Sequence, residues 1–324
     1  MLFELHRHIE GSLRPETILE LGRQFRIPLP ADSLPALLPH ITVGPDCRSL
    51  NDFLEKFRWI PAVLGDLSAC ARVAAECVED AVTGGIGHLE LRFSPAFMAA
   101  HHRLDPSQVA ATVAASAHAA AAASGLPLVL IASITRSFGP RIAGRELAAI
   151  LENRAWFSAV DLAGDELNFP AGLFEKHFDR VRDAGLAITI HAGEADGPWS
   201  VREAIDRLGA TRIGHATRAI EDFRLLDMIG ERGIGLECCL TSNVQTGAVP
   251  CLRDHPLRQY LDAGLLATIN ADDPSISGTT LLHEWEYAAP AAGLEPRHLQ
   301  MASANARAVA YGPANTQSAC KEIH

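Results

Sequence analysis

The chain has 324 residues, 48% of them hydrophobic and 21% charged, a balance that supplies a large buried core and excludes intrinsic disorder. Its 28 Lys and Arg against 39 Asp and Glu leave a formal charge of −11, which argues against a nucleic-acid polymer or an anionic membrane surface as partner. Seven cysteines, odd in number and scattered at 47, 70, 77, 238, 239, 251 and 320, do not suggest a disulfide framework, and the polar opening Glu4-Leu5-His6-Arg7-His8 is not a signal peptide; both indicate a reducing, cytoplasmic setting.

The first strand-like run is residues 3–8. From roughly 12 to 87 the pattern is helical, beginning with 12–25, and is read as an insertion over the mouth of the fold. Strand-like runs then recur at 88–94, 128–134, 159–162, 187–191, 212–215, 234–239 and 267–271. The apolar tract 110–123 is interrupted by Thr112, Ser116 and His118 and is shorter than the ~20 residues a membrane helix needs. Amphipathic stretches at 173–184, 200–208, 220–232 and 256–263 separate the later runs, each followed closely by a glycine (Gly185, Gly209, Gly233, Gly264). Strand, helix, glycine, strand is the rhythm of parallel βα units. Eight such units imply a (β/α)8 TIM barrel in a single domain, 1–324, with a helical insertion between the first and second strands and its site at the carboxyl ends of the strands.

Those strand ends are polar. His6 and His8 sit two apart, so on a strand both imidazoles face one side; by itself the pair reads equally well as two partly exposed histidines near a terminus. Three further endings add to it: His191-Ala192-Gly193-Glu194, Gly214-His215-Ala216 and Asn270-Ala271-Asp272-Asp273-Pro274. Singly, each has an ordinary reading as a hydrogen-bonded histidine, a solvated glutamate, or a turn or helix cap. Converging at one mouth, they make a histidine-rich set with a carboxylate, the donor chemistry zinc prefers. Zinc lowers the pKa of a bound water from ~15.7 toward ~7, so the reaction class is hydrolytic.

His6-Arg7-His8-Ile9-Glu10-Gly11, Asp161-Leu162-Ala163-Gly164-Asp165-Glu166, His191-Ala192-Gly193-Glu194, Arg212-Ile213-Gly214-His215, Leu240-Thr241-Ser242-Asn243 and Asn270-Ala271-Asp272-Asp273-Pro274 resemble, in order, the motifs of the adenosine deaminase family of the amidohydrolase superfamily. The likeness runs to about residue 310 and is nearest to bacterial members, as in the stretches 14–24 and 288–294. It implies one zinc ion per chain on His6, His8, His191 and Asp272. It also implies Glu194 as the acid that protonates purine N1, His215 as the group that orients or deprotonates water, and Asp273 as the partner of N7. His8, Glu10, the Gly164 amide (to N3) and Asp273 would meet the substrate. The implied reaction is hydrolysis of adenosine, and of 2′-deoxyadenosine, to inosine or its deoxy analogue and ammonia. Its partner is a small purine nucleoside, with no polymer, membrane or obligate protein partner indicated. For Glu194 this role requires a raised pKa, expected from burial beside apolar walls and Asp273. Cys238 and Cys239 are read as buried thiols, not ligands.

Three positions depart from the family pattern: Glu10 stands where aspartate is usual, Ala216 where glycine is usual, and Ala271 where threonine is usual. Glu10 bears on substrate, because one additional methylene moves a carboxylate by about 1.5 Å. Adenine deaminases also resemble the chain at Glu10, but they more often read Arg-Ile-Asp-His where this chain has Arg212-Ile213-Gly214-His215. Adenosine is favoured; adenine or a 5′-modified adenosine is the alternative. A purine-binding barrel without catalysis is opposed by the presence of Glu194, His215 and Asp273 together. A zinc hydrolase of amides or phosphoesters leaves Gly164 and Asp273 without a purine to read.

Overall fold

The computed structural model describes residues 1–44 and 46–312; Cys320 lies outside them. Eight strands, β1 (Leu2–His8), β2 (Ile86–Phe93), β3 (Leu128–Thr135), β4 (Ala159–Ala163), β5 (Ala187–Ala192), β6 (Arg212–His215), β7 (Gly235–Cys238) and β8 (Leu266–Ile269), follow one another around a parallel sheet in sequence order. The last strand returns to the first just beyond its end, where the His8 amide donates to the Asp272 carbonyl at 3.0 Å and the Asp272 amide donates to the His6 carbonyl at 2.9 Å. The architecture is the expected (β/α)8 TIM barrel. Its strands are legible as near-continuous apolar runs because helices cover the outer face and side chains fill the inner one; in β3 every residue but the last is buried.

The helices follow the amphipathic pattern, with boundaries set by local chemistry. The expected helix over 220–232 is divided: a 3-10 turn spans Thr217–Glu221, and the α-helix Phe223–Arg232 starts afresh because the Asp222 carboxylate accepts from the Arg224 and Leu225 amides, a side-chain N-cap. Leu225 and Ile229 form its buried face, and Gly233, at φ 63°, closes it in a conformation that costs glycine little. The helix expected over 200–208 begins at Pro198, whose fixed φ and missing N–H suit the first helical turn. The apolar tract 110–123 lies within the helix Pro106–Ser124, which buries Val109, Ala110, Val113, Ala114, Ala117 and Ala121. No helix among the described residues is long and apolar enough to cross a membrane.

Between β1 and β2 the chain forms helices Pro15–Gln24, Leu34–Ile41, Leu50–Leu54, Ile60–Val63 and Leu67–Thr83. The first and last are joined by polar contacts: Arg14 to Asp80 at 2.7 Å, Arg72 to Glu20 at 2.7 Å, and the Thr17 hydroxyl to Glu76 at 2.7 Å. Leu50–Leu54 and the 3-10 turn Glu55–Trp59 lie over the carboxyl ends of the strands, where Leu50, Asn51, Phe53, Leu54, Glu55 and Phe57 roof a cavity of about 540 Å³.

Candidate active site

Strand ends form the cavity floor, with His6 fully buried behind the lining residues. β1 supplies His6 and His8, β5 supplies His191, β6 supplies His215, and the segment just after β8 supplies Asp272. His8 Nε2 lies 3.2 Å from His191 Nε2 and 3.5 Å from Asp272 Oδ1, and His6 Nε2 lies 3.2 Å from the same oxygen. Those separations match the ~3.3 Å edge of a tetrahedron whose bonds to a zinc ion are ~2.0–2.1 Å. Fully buried, His6 Nε2 has no aligned hydrogen-bond partner, an orphan that a bound cation would satisfy. A second grouping, His6, His191, His215 and Asp272, also brings one donor atom each within 4.8 Å of one another.

Carboxylates behind the histidines aim them. His6 Nδ1 donates to Glu237 at 2.6 Å and His191 Nδ1 donates to Asp161 at 3.0 Å, which turns each Nε2 inward. Glu237 also accepts from Arg92 at 2.7 Å, Arg212 at 2.6 Å and Thr189 at 2.9 Å. Burial opposes ionisation of Glu237, but the two guanidiniums hold it well below the usual carboxylate range. The Ser242 hydroxyl donates to Asp272 Oδ2 at 2.7 Å, leaving Oδ1 for the centre. Burial pushes the His8 and His191 imidazoles below their ordinary value, toward the neutral, metal-binding form. Gly214 allows the close packing: a Cβ there would lie 2.9 Å from His6 Cε1. His215 and Asp272 take positive φ, 66° and 65°, sparsely populated values for residues with side chains and found where the surrounding structure imposes them.

Glu194, Asp273, Glu10, Gly164 and His215 line the same cavity as His8, His191 and Asp272. Glu194 Oε1 accepts from Thr246 at 3.0 Å and from Asn243 at 3.4 Å, and Oε2 is 3.6 Å from His215 Nε2. Burial, then the charges of Asp272 and Glu166, push its pKa up to about 8. Burial is the leading cause, as expected, and the carboxylates that add to it are Asp272 and Glu166 where Asp273 was expected. Asp273 precedes the short helix Pro274–Ser277 but makes no capping bond; its Oδ1 is buried without a partner, and burial and Asp272 raise its pKa well above the usual range. A Cβ on Gly11 would lie 1.7 Å from that oxygen, so only glycine leaves it room. Glu10 Oε1 accepts from the Ser94 amide at 2.6 Å while Oε2 is buried and unpartnered, and burial raises its pKa to about 8.

The family model for adenosine deaminase matches residues 2–322. The chain belongs to the adenosine deaminase family. It is 48% identical over 317 residues to the adenosine deaminase of Edwardsiella ictaluri, across 98% of this chain and 95% of that one. It is 47% identical over 321 residues to that of Escherichia coli O1:K1, across 99% and 96%. Among solved structures it resembles the adenine deaminase of Arthrobacter aurescens, with a TM-score of 0.89 and 27% identity over 99% of this chain and 97% of that one. As a member of the adenosine deaminase family it is a hydrolytic deaminase.

Three site residues had no role in the sequence reading. Glu237 is an isolated glutamate inside β7, and only barrel closure brings it to His6. Glu166 closes the 161–166 motif, and its carboxylate accepts from the amides of Gly193, Glu194, Ala195 and Asp196 at 2.6 to 3.1 Å and from the Ser200 hydroxyl at 2.6 Å, fixing the loop that carries Glu194. Asn243 donates toward both His215 and Glu194. A charged or amide residue buried in an apolar run was the available signal, since such groups need partners. Cys238 and Cys239 are buried and belong to neither donor grouping among the described residues.

Proposed function

We propose that the chain hydrolyses adenosine to inosine and ammonia, with one zinc ion held by His6, His8, His191 and Asp272. The observation that carries the reaction type is the convergence, in one cavity, of His8, His191 and Asp272, backed by the buried His6 whose Nε2 lies 3.2 Å from Asp272 Oδ1, with a buried carboxyl, Glu194, that keeps its proton near neutral pH. A zinc ion there supplies the Lewis acidity that makes water a nucleophile at neutral pH. The water oxygen adds at C6; of the protons it brings, one restores the proton that Glu194 gives to N1 and the other goes to the C6 amino group, which leaves as ammonia. Glu194 supplies the N1 proton, so negative charge does not accumulate on the ring. N7 is an acceptor, so its partner must donate; Asp273, kept protonated by burial and by Asp272, does so. The Gly164 amide donates to N3, and His8 flanks the base. Six described cysteines, all free, suit a reducing cytoplasmic setting, and the partner is a small purine nucleoside.

The choice of adenosine rests on the 48% identity over nearly the whole chain to an enzyme of that name. Glu10 and the 27% likeness to an adenine deaminase support adenine as the second reading. Ammonia release and the ultraviolet change, followed on adenosine, 2′-deoxyadenosine, adenine and 5′-deoxyadenosine, separate the two. Adenosine is expected to give the highest kcat/KM. Because the unpartnered Glu10 Oε2 would pair with the 5′-hydroxyl, 5′-deoxyadenosine should lose ~1–3 kcal/mol of transition-state binding. A higher kcat/KM for adenine overturns the substrate choice. Phe53, buried in the roof, is proposed to cover the base before and during reaction. Phe53→Ala should therefore raise KM several-fold with kcat within about twofold; unchanged kinetics with a lowered Tm would assign it to packing alone.

A further inference from the structure

We propose that Asn243, held in place by His255, fixes the proton of the His215 ring on Nε2, leaving Nδ1 bare. The deduction starts from a group whose role is unambiguous. A backbone N–H only donates, and the Leu257 amide lies 3.1 Å from His255 Nδ1, so that nitrogen is an acceptor. Burial pushes the pKa of His255 down to about 3, so the ring is neutral and its single proton sits on Nε2. That proton faces Asn243 Oδ1 at 3.1 Å, which settles the orientation of the amide, otherwise a two-way assignment. The Asn243 NH2 then points to His215 Nδ1 at 3.0 Å and to Glu194 Oε1 at 3.4 Å. An amide NH2 only donates, so His215 Nδ1 accepts. An imidazolium would oppose N–H to N–H, and the neutral ring therefore carries its proton on Nε2, which faces Glu194 Oε2 at 3.6 Å. All three side chains are buried, so water does not compete for these bonds.

Two consequences follow. A protonated Nε2 has no lone pair for a metal, so of the two donor groupings the one containing His8 remains. The same nitrogen cannot take up a proton: His215 orients, as a hydrogen-bond donor to the oxygen that attacks C6, and does not act as the base. Asn243 and His255 are thus positioning residues acting through His215 and Glu194. The catalytic consequence rests on the deaminase reading, whereas the proton assignment does not.

The test is a long-range ¹H–¹⁵N correlation spectrum of zinc-loaded, ¹⁵N-histidine-labelled protein, with the His215 signals assigned by their loss in His215→Gln. The wild type should show a bare Nδ1 and a protonated Nε2. In Asn243→Asp the carboxylate accepts from both rings, so the His215 proton should move to Nδ1. The kcat of this variant should fall ~10²-fold, comparable to loss of one oriented donor, with KM within about threefold and zinc content unchanged. A wild-type proton on Nδ1, or an Asn243→Asp variant that keeps both tautomer and kcat, overturns the proposal. If that variant does not fold, the wild-type spectrum decides the proton's position, and His255→Leu, which frees the amide to turn, should give mixed tautomers and a lower kcat. Ammonia release from no purine would overturn the deaminase reading and leave the tautomer result standing.

Discussion

His191→Ala is expected to lose bound zinc and deaminase activity together. The imidazole it removes is held between Asp161 at 3.0 Å and the centre, where its Nε2 lies 3.2 Å from His8 Nε2. Three remaining donors would have to bind the ion beside a buried Asp161 deprived of one of its partners. Metal affinity depends on the count of donors and on the groups that aim them, so elemental analysis should find the variant depleted in zinc and ammonia release should fall to background. His8→Ala should behave alike. His215→Ala should keep its zinc while losing rate, because its ring is assigned an orienting role, and Cys238→Ala, whose thiol lies outside both donor groupings, should keep both. Stoichiometric zinc in purified His191→Ala would overturn the ligand assignment; zinc lost from His215→Ala would exchange it for the grouping that omits His8.

The barrel was legible because its physics is local and repeated. Strands buried on both faces read as short apolar runs, and the helices between them alternate polar and apolar residues at helical spacing. The breaks were less legible: Asp222 restarts a helix within what periodicity presents as one stretch, because capping acts through a single side chain. At the site, residues that end strands, such as His191 and His215, stand out as polar groups closing apolar runs, and the structure brings them to one cavity with His8, Glu194 and Asp272. The groups that aim them did not stand out. Glu237 lies 231 positions from His6 and Asn243 lies 28 from His215, separations with no periodic signature; contact depends on barrel closure. Glu194 shows a different gap. Its raised pKa was anticipated from burial, but the loop folds so that Glu166 gathers the surrounding amides and places a second carboxylate near it.

Glu194→Gln is expected to lower kcat by ~10²-fold or more, with zinc content unchanged. The amide preserves the side chain's shape and can still meet Thr246, which donates to Oε1 at 3.0 Å, but it has no acidic proton for N1. The sign of the pH dependence follows from the raised pKa. Burial, Asp272 and Glu166 hold the wild-type carboxyl protonated up to about pH 8, so the acid is present below that value and is lost as pH rises through it. A cation on Asp272 offsets part of that residue's contribution, which places the alkaline limb of kcat/KM at or below about 8. The Gln variant has no such group, so its residual rate should lack this limb. Steady-state rates across the pH range, with zinc measured on the same samples, make the check. Full activity in Glu194→Gln, or a wild-type rate that stays flat through the alkaline range, would remove Glu194 as the proton donor; a zinc-depleted variant would make Glu194 part of the metal site.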